Sequence, residues 1–141
     1  MHLVVDGYSK DRKKLSDLDL IRNFLDEYPE MLGMKKMIPP QVFTYSGETS
    51  ADWGVSGFVL IAESHISVHT FPDRGYVNID VFSCREFDAE ASRREIEDTF
   101  GLDGAKIWVL ERGIDYSTPR EAHDGMVSER AQLSSTGGQI D

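Results

Sequence analysis

Short apolar segments separated by turn residues run along most of this chain, and this pattern predicts a sheet-rich domain. Segments of four to eight apolar and β-branched residues bounded by Gly, Pro, Asn or Asp are typical of strands. The pattern predicts six strands, at residues 2–8, 42–45, 55–62, 66–71, 76–83 and 106–111. The second of these is entered through Pro39 and Pro40.

Two other segments have the three-and-four spacing of an amphipathic helix. The first begins at Ser16 or Asp17 and has apolar residues at Leu18, Ile21, Leu25 and Tyr28. We expect Pro29 to end or kink this helix, because proline has no amide proton and crowds the preceding turn. The second helix is capped by Asp88 and runs to Phe100, where Gly101 ends it.

The predicted order of elements is therefore β-α-β-β-β-β-α-β. Short links between consecutive strands allow antiparallel neighbours only. The predicted fold class is α+β, a two-layer sandwich in which two helices pack on one face of an antiparallel sheet. We expect residues 1–116 to form one domain, and residues 117–141, which are rich in Ser, Gly and charge, to form a flexible tail.

Composition narrows the classes of partner. The net charge of -10 argues against a nucleic-acid or anionic-membrane partner, since both require basic patches, and it suits a cationic substrate. One cysteine excludes an internal disulfide, and the first residues lack the basic and apolar regions of a signal peptide. These features predict a cytoplasmic protein. Because 141 residues are few for a free-standing cleft, we expect a homodimer that completes its active site at the interface.

The turn at residues 72–75 fixes a register for the two strands that it joins. If Phe71 faces Tyr76, then His69 faces Asn78 and position 63 faces Cys84, the only cysteine. Opposed residues share a face of the sheet, so His69 and Cys84 lie on one face together with Asn78 and Asp80. This register predicts that Ser64, His69 and Cys84 converge.

Such a cluster has a specific chemistry available to it. No Gly-x-Ser-x-Gly turn surrounds Ser64, so a hydrolase nucleophile is not indicated. The Ser64 hydroxyl is adjacent to the Glu63 carbonyl, and its attack there would form a five-membered ring and then an ester. A nearby imidazole such as His69 would remove the serine α-proton, and the Ser56 hydroxyl would stabilise the developing oxyanion. Cys84 is a candidate acid for a later protonation.

Each of these residues also has an ordinary structural interpretation. Ser64 alone is typical of a turn, His69 of a hydrogen-bonded core histidine, and Cys84 of a small buried side chain. The default for the acids Asp6, Glu63 and Asp73 is a solvated surface position, and Trp53 is typical of an edge or core aromatic. A metal site is an alternative that would use His65, His69, Asp80 and Cys84. No recognised zinc-ligand spacing is present, so we expect no metal.

Four motifs in order and at matching spacing resemble the bacterial S-adenosylmethionine decarboxylase proenzyme family over about residues 2–113. They are Gly54-Val55-Ser56-Gly57, Glu63-Ser64-His65, His69-Thr70-Phe71-Pro72 and Asp80-Val81-Phe82-Ser83-Cys84. The resemblance implies self-cleavage between Glu63 and Ser64, giving a β chain of residues 1–63 and an α chain of residues 64–141.

The resemblance also implies how the cleaved chain would work. Ser64 would become a pyruvoyl cofactor, which forms a Schiff base with the substrate amine. Ser56 and His69 would act in processing, Cys84 would donate a proton, and Asp6, Trp53, Glu63 and Asp73 are candidate substrate-binding residues. Family members are homodimers with active sites at the subunit interface. The implied reaction is decarboxylation of S-adenosylmethionine, which supplies the aminopropyl donor for spermidine biosynthesis.

Two positions depart from the family pattern, and both concern nucleoside recognition. The family commonly has a stacking phenylalanine where this chain has Ser50, and a glutamate where it has Asp73. Trp53 is a candidate replacement for the missing aromatic. The departures leave open a pyruvoyl-dependent L-ornithine or L-arginine decarboxylase on the same scaffold. An alternative of another class is a non-enzymatic α+β metal- or metabolite-binding module.

Overall fold

One antiparallel sheet of six strands organises the molecule. The computed structural model describes residues 1–112 and, beyond them, Ser128 alone, so the domain end at 116 and, apart from Ser128, the predicted tail at 117–141 lie outside the described residues. The strands are β1 (His2–Tyr8), β2 (Gln41–Ser46), β3 (Trp53–Ile61), β4 (Ser64–Phe71), β5 (Tyr76–Ser83) and β6 (Gly104–Leu110). Their spatial order is β2-β3-β4-β5-β1-β6, and every neighbouring pair is antiparallel.

Within residues 1–112 three helices pack on the sheet, one more than the sequence predicts there. They are α1 (Arg12–Ser16), α2 (Leu18–Met31) and α3 (Ala89–Phe100). The short α1 was missed because one turn of helix has no periodicity to detect; its N-cap Asp11 accepts a hydrogen bond from the Lys14 amide. Asp88 caps α3 and Gly101 ends it in the left-handed conformation, as predicted. None of the helices in residues 1–112 is long and apolar enough to cross a bilayer.

Pro29 lies inside α2 instead of ending it. The helix continues for only two residues, to Met31, so proline removes little from the ladder of backbone hydrogen bonds. The Pro29 ring is buried, and its carbonyl accepts a hydrogen bond from the Met34 amide, 2.8 Å away. The helix therefore ends in the turn that follows proline, a few residues later than expected.

The core lies between the sheet and the helices, which confirms the two-layer α+β fold. Alternate strand residues point to the helices and are fully buried, as in Leu3 and Val5 of β1 or Val77, Ile79 and Val81 of β5. From the helical layer, Leu15, Ile21, Leu25, Ile96 and Phe100 complete this core. Burial of such side chains stabilises the fold by about 1.5–3 kcal/mol each.

Within residues 1–112 no helix lies on the opposite side of the sheet, and we call that side the helix-free face. It holds the alternate strand residues, among them Ser56, Phe58 and Leu60 of β3 and His65 and His69 of β4. Large apolar side chains on this face are exposed, namely Tyr8, Phe43, Tyr45, Phe58, Leu60 and Trp108. An apolar surface of this extent on a sheet is typical of a face that another protein surface covers.

The register of the β4–β5 hairpin agrees with the sequence. Phe71 pairs with Tyr76 and His69 pairs with Asn78. Residues Pro72–Arg74 form a single 3-10 turn, and Gly75 closes it at φ 61°, a conformation that glycine adopts without strain. Strand β4 begins at Ser64, two residues earlier than predicted, so Ser64 is hydrogen-bonded into the sheet.

Candidate active site

The Glu63–Ser64 bond lies at the tight turn between β3 and β4, with Cys84 beside it. The Cys84 amide donates a hydrogen bond of 2.9 Å to the Glu63 carbonyl oxygen. The Cys84 residue is exposed and its thiol is free. The predicted pairing of position 63 with Cys84 is thus confirmed. A carbonyl whose oxygen accepts an amide hydrogen bond is polarised toward attack at carbon.

Ser64 has an unusual backbone conformation. Its φ is 154°, and within residues 1–112 no other residue except glycine has a positive φ. Ser64 pairs with Ile61 on one side and with Ser83 on the other, so both neighbouring strands hold it in place. A serine held at such a φ costs of order 1–3 kcal/mol. The sheet therefore maintains strain at the bond next to the polarised carbonyl.

His65 contacts the Ser64 side chain directly. Its Nδ1 lies 3.2 Å from the Ser64 Oγ. Burial lowers the pKa of His65 from its ordinary 6.5, and the nearby His2 and Arg112 act in the same direction, while Asp80 opposes them. His65 is therefore neutral at pH 7. Sequence reasoning considered this residue only as a metal ligand, although its adjacency to Ser64 was a visible signal.

His65 belongs to a packed cluster on the helix-free face. The His65 ring meets the Phe82 ring edge-on, with centroids 5.6 Å apart. The Arg112 guanidinium lies 4.0 Å above the centre of the Phe82 ring. His2 Nε2 lies 2.7 Å from an Asp80 carboxylate oxygen, and this hydrogen bond holds the pKa of Asp80 below its usual range. Asp80 is therefore engaged by His2 and not by His65.

The Glu63 carboxylate is held away from solvent. Its side chain is 10% exposed, lies 3.5 Å from Arg85, and accepts a hydrogen bond of 3.3 Å from the Lys35 amide. These contacts fix the residue that precedes Ser64. Neither contact was visible from the sequence, because both partners come from other turns of the chain.

A second group of predicted residues lies toward the far end of β4. His69 Nδ1 is 2.9 Å from the Ser56 hydroxyl on the neighbouring strand. The Trp53 indole donates a hydrogen bond of 2.9 Å to the Asp73 carboxylate, whose other oxygen lies 3.8 Å from Arg12. We call Ser56, His69, Trp53 and Asp73 the distal group.

Asp6 lies beside the distal group. The Asn78 amide donates a hydrogen bond of 2.6 Å to the Asp6 carboxylate, and Asn78 pairs with His69 across the strands. Burial raises the pKa of Tyr76, whose hydroxyl accepts a further hydrogen bond from Asn78. A row of polar side chains thus crosses the helix-free face from Ser56 to Asp6.

Within one chain the structure does not bring Ser64 and His69 together. They are five positions apart on an extended strand, which is about 16 Å at the usual rise of about 3.3 Å per residue. Ser64, Glu63, His65 and Cys84, which we call the cleavage group, lie at one end of β4, and the distal group lies toward the other. The expected convergence of Ser64, His69 and Cys84 is therefore wrong for a single chain: Cys84 contacts Glu63, the residue next to Ser64, and His69 lies far from both.

The spacing of the histidines along β4 argues against the alternative of a metal site. His65 and His69 are four residues apart on one strand, about 13 Å, which is too far for a shared ion. Within residues 1–112 no three His, Cys, Asp or Glu side chains are grouped so that they could hold a metal ion.

Comparison with known proteins places this arrangement in a family. The model of the S-adenosylmethionine decarboxylase family matches residues 1–113. The chain is 36% identical to the S-adenosylmethionine decarboxylase proenzyme of Pyrococcus abyssi over 115 residues, covering 81% of this chain and 78% of that one. It is 32% identical to the proenzyme of the same name from Geobacillus sp. over 114 residues, covering 80% and 86%.

A solved structure agrees with the sequence relatives. The crystal structure of the adenosylmethionine decarboxylase from Aquifex aeolicus matches with a TM-score of 0.64 and 28% identity, over 83% of this chain and 92% of that one. The fold and the sequence therefore both match proteins of this family. The chain belongs to the S-adenosylmethionine decarboxylase family.

Proposed function

We propose that this protein is a self-processing, pyruvoyl-dependent S-adenosylmethionine decarboxylase whose cofactor forms from Ser64. One observation carries the proposal: a strained serine follows a carbonyl that the Cys84 amide polarises. A turn serine with no chemical role has no need of either feature. Family membership supports the substrate, since the relatives are named for it. The free thiol of Cys84 fits a reducing compartment, and we place the enzyme in the cytoplasm.

The residues at the turn fit the formation of a pyruvoyl group. Attack of the Ser64 hydroxyl on the Glu63 carbonyl carbon puts negative charge on the oxygen that the Cys84 amide already contacts, 2.9 Å away. Ring opening then transfers the acyl group from nitrogen to oxygen and releases the strain at Ser64. Removal of the Ser64 α-proton expels the Glu63 carboxylate, and water replaces the nitrogen, which leaves as ammonia.

Cys84 is placed to serve the later decarboxylation. A pyruvoyl group supplies an electron sink for the pair of electrons left when an amino acid loses carbon dioxide. The carbon that loses carbon dioxide must then receive a proton. The Cys84 side chain is exposed, and its backbone is held against residue 63, so we assign its thiol as the proton donor.

The separation of the two groups supports a homodimer. His69 and Ser56 lie about 16 Å from the Ser64 of their own chain, so they would act on the Ser64 of a partner. The exposed apolar side chains of the helix-free face, including Phe58 and Leu60 on a strand inside the sheet, suit face-to-face packing with a second copy. A two-fold axis across the strands would lay the cleavage group of one chain over the distal group of the other.

The distal group also holds the candidate residues for substrate recognition. Trp53 and Asp73 are bonded to each other, which presents an aromatic ring and a carboxylate side by side. We assign this pair, with Asp6 and Glu63, to substrate binding. Ser50 leaves the usual aromatic position empty, and Trp53, three residues later, would supply the stacking surface for the adenine.

Carbon dioxide release from S-adenosylmethionine, L-ornithine and L-arginine, measured side by side, tests the substrate. We expect the wild type to release carbon dioxide from S-adenosylmethionine. Ser64→Ala should lose both self-cleavage and carbon dioxide release. Cys84→Ala should keep self-cleavage but release carbon dioxide about 100-fold more slowly. Release from ornithine or arginine alone would contradict the substrate. Wild-type turnover in Cys84→Ala would remove the thiol from its role.

The strain at Ser64 predicts that glycine stabilises the protein at this position relative to alanine. A glycine within a strand ordinarily makes a protein less stable than an alanine does, but at φ 154° alanine is strained and glycine is not. We expect the free energy of unfolding, measured by urea titration, to be about 1 kcal/mol higher for Ser64→Gly than for Ser64→Ala. Ser67, in the same strand, is the control: in a Ser64→Ala background, Ser67→Gly should be less stable than Ser67→Ala. If the glycine variant is less stable than the alanine variant at both positions, Ser64 is not strained.

Co-expression of two inactive variants tests the shared site. A chain with His69→Asn keeps Ser64, and a differently tagged chain with Ser64→Ala keeps His69. Expressed alone, neither should be processed to completion, whereas in the mixed dimer the His69→Asn chain should be cleaved at Glu63–Ser64, as read by mass spectrometry. If that chain stays intact although the mixed dimer forms, His69 does not act across the interface.

A further inference from the structure

We propose that His65 is the base that takes the proton from the Ser64 hydroxyl and so starts self-cleavage. The inference rests on the proposed self-processing and adds a catalytic residue to it. His69, which the sequence favours as the processing base, would then be left for the later removal of the α-proton. The two proton transfers would use two histidines of different chains.

Contact with the reacting atom is the first reason for this assignment. His65 Nδ1 lies 3.2 Å from the Ser64 Oγ, within reach of direct proton transfer. Within residues 1–112 no other side chain hydrogen-bonds that hydroxyl. His69 instead bonds the Ser56 hydroxyl, about 16 Å away along β4.

The surroundings of His65 keep its ring neutral and oriented. Three titratable groups face it: His2 from β1, Asp80 from β5 and Arg112 after β6. Arg112 lies against His2 Nδ1, and His2 Nε2 contacts Asp80, so the Asp80 carboxylate is occupied. Burial lowers the pKa of His65, the neighbouring His2 and Arg112 act in the same direction, and Asp80 offsets only part of this effect. The edge contact with Phe82 holds the ring in place.

The step balances within the chain. The Ser64 Oγ–H proton passes to His65 Nδ1 as the Oγ bonds to the Glu63 carbonyl carbon. The carbon–nitrogen bond between Glu63 and Ser64 then breaks, and His65 returns the proton to the departing nitrogen. The product is an ester of Glu63 on the Ser64 oxygen with a free amine. No oxidant, metal or second substrate is consumed.

Cleavage of the full-length His65→Asn protein tests the assignment. The asparagine oxygen can accept a hydrogen bond near the Nδ1 position but cannot take a proton at neutral pH. We expect the rate of cleavage at Glu63–Ser64, followed by intact mass, to fall about 100-fold. Because the block precedes the ester, hydroxylamine, which cleaves esters, should not cut the stalled chain. In His69→Asn the block follows the ester, and hydroxylamine should cut it.

Two comparisons make the outcome decisive. His65→Gln, which also lacks a base, should be as slow as His65→Asn and replaces it if that variant does not fold by circular dichroism. Ser67→Asn alters the same face of β4, two residues from His65, without touching Ser64, and should stay within about tenfold of wild type. Cleavage of a folded His65 variant at the wild-type rate, or hydroxylamine cutting of it, would overturn the proposal.

The pH dependence provides a readout independent of packing. Since a base must be unprotonated and the pKa of His65 is lowered, wild-type cleavage should be constant near pH 7 and fall only below pH 6.5. The His65→Asn chain should lack that dependence, and the same dependence in it would count against His65. If the wild type itself is never cleaved, the proposed function fails and not this inference alone.

Discussion

The hydrogen bonds that hold Ser64 in two neighbouring strands are the constraint on which the rest of the site depends. They force a serine into a conformation that suits glycine, at the residue following a tight turn. The same ladder places the Cys84 amide on the Glu63 carbonyl. Strain and polarisation at one peptide bond therefore come from ordinary sheet pairing, which the buried core on the other side of the sheet keeps rigid.

The length of β4 then determines how the molecule would be assembled. A strand of eight residues carries the cleavage group at its start and His69 near its end, too far apart to share a substrate. The helix-free face between them is apolar and exposed. The homodimer that we propose would account for both facts, because a second copy packed in the opposite direction would let each chain contribute half of every site. The proposed dimer would thus explain both how so small a domain forms a cleft and why one chain holds only half of the site.

Much of the fold was readable because strand periodicity and turn chemistry are local. Prolines and glycines marked the strand ends, and the turn at Pro72 fixed a register that placed Cys84 opposite residue 63. The error about His69 has a simple cause. Register tells which residues share a face and a row, but the position along the strand must also be counted, and His69 is five residues from Ser64.

Other features were beyond the sequence. The φ of Ser64 depends on pairing with two strands at once, and the bond between Trp53 and Asp73 depends on how two loops meet. The contact of His65 with Ser64 needed a side-chain orientation that adjacency alone does not give. Family motifs indicated candidate residues, and the structure shows which of these residues lie in contact.

Mass spectrometry of the purified wild-type protein tests the central claim most directly. Self-processing requires two fragments, residues 1–63 and 64–141, with the second lighter by one ammonia than a peptide that begins with Ser64. That fragment should also react with a carbonyl reagent such as phenylhydrazine. A single intact chain that does not react with the reagent would contradict the account.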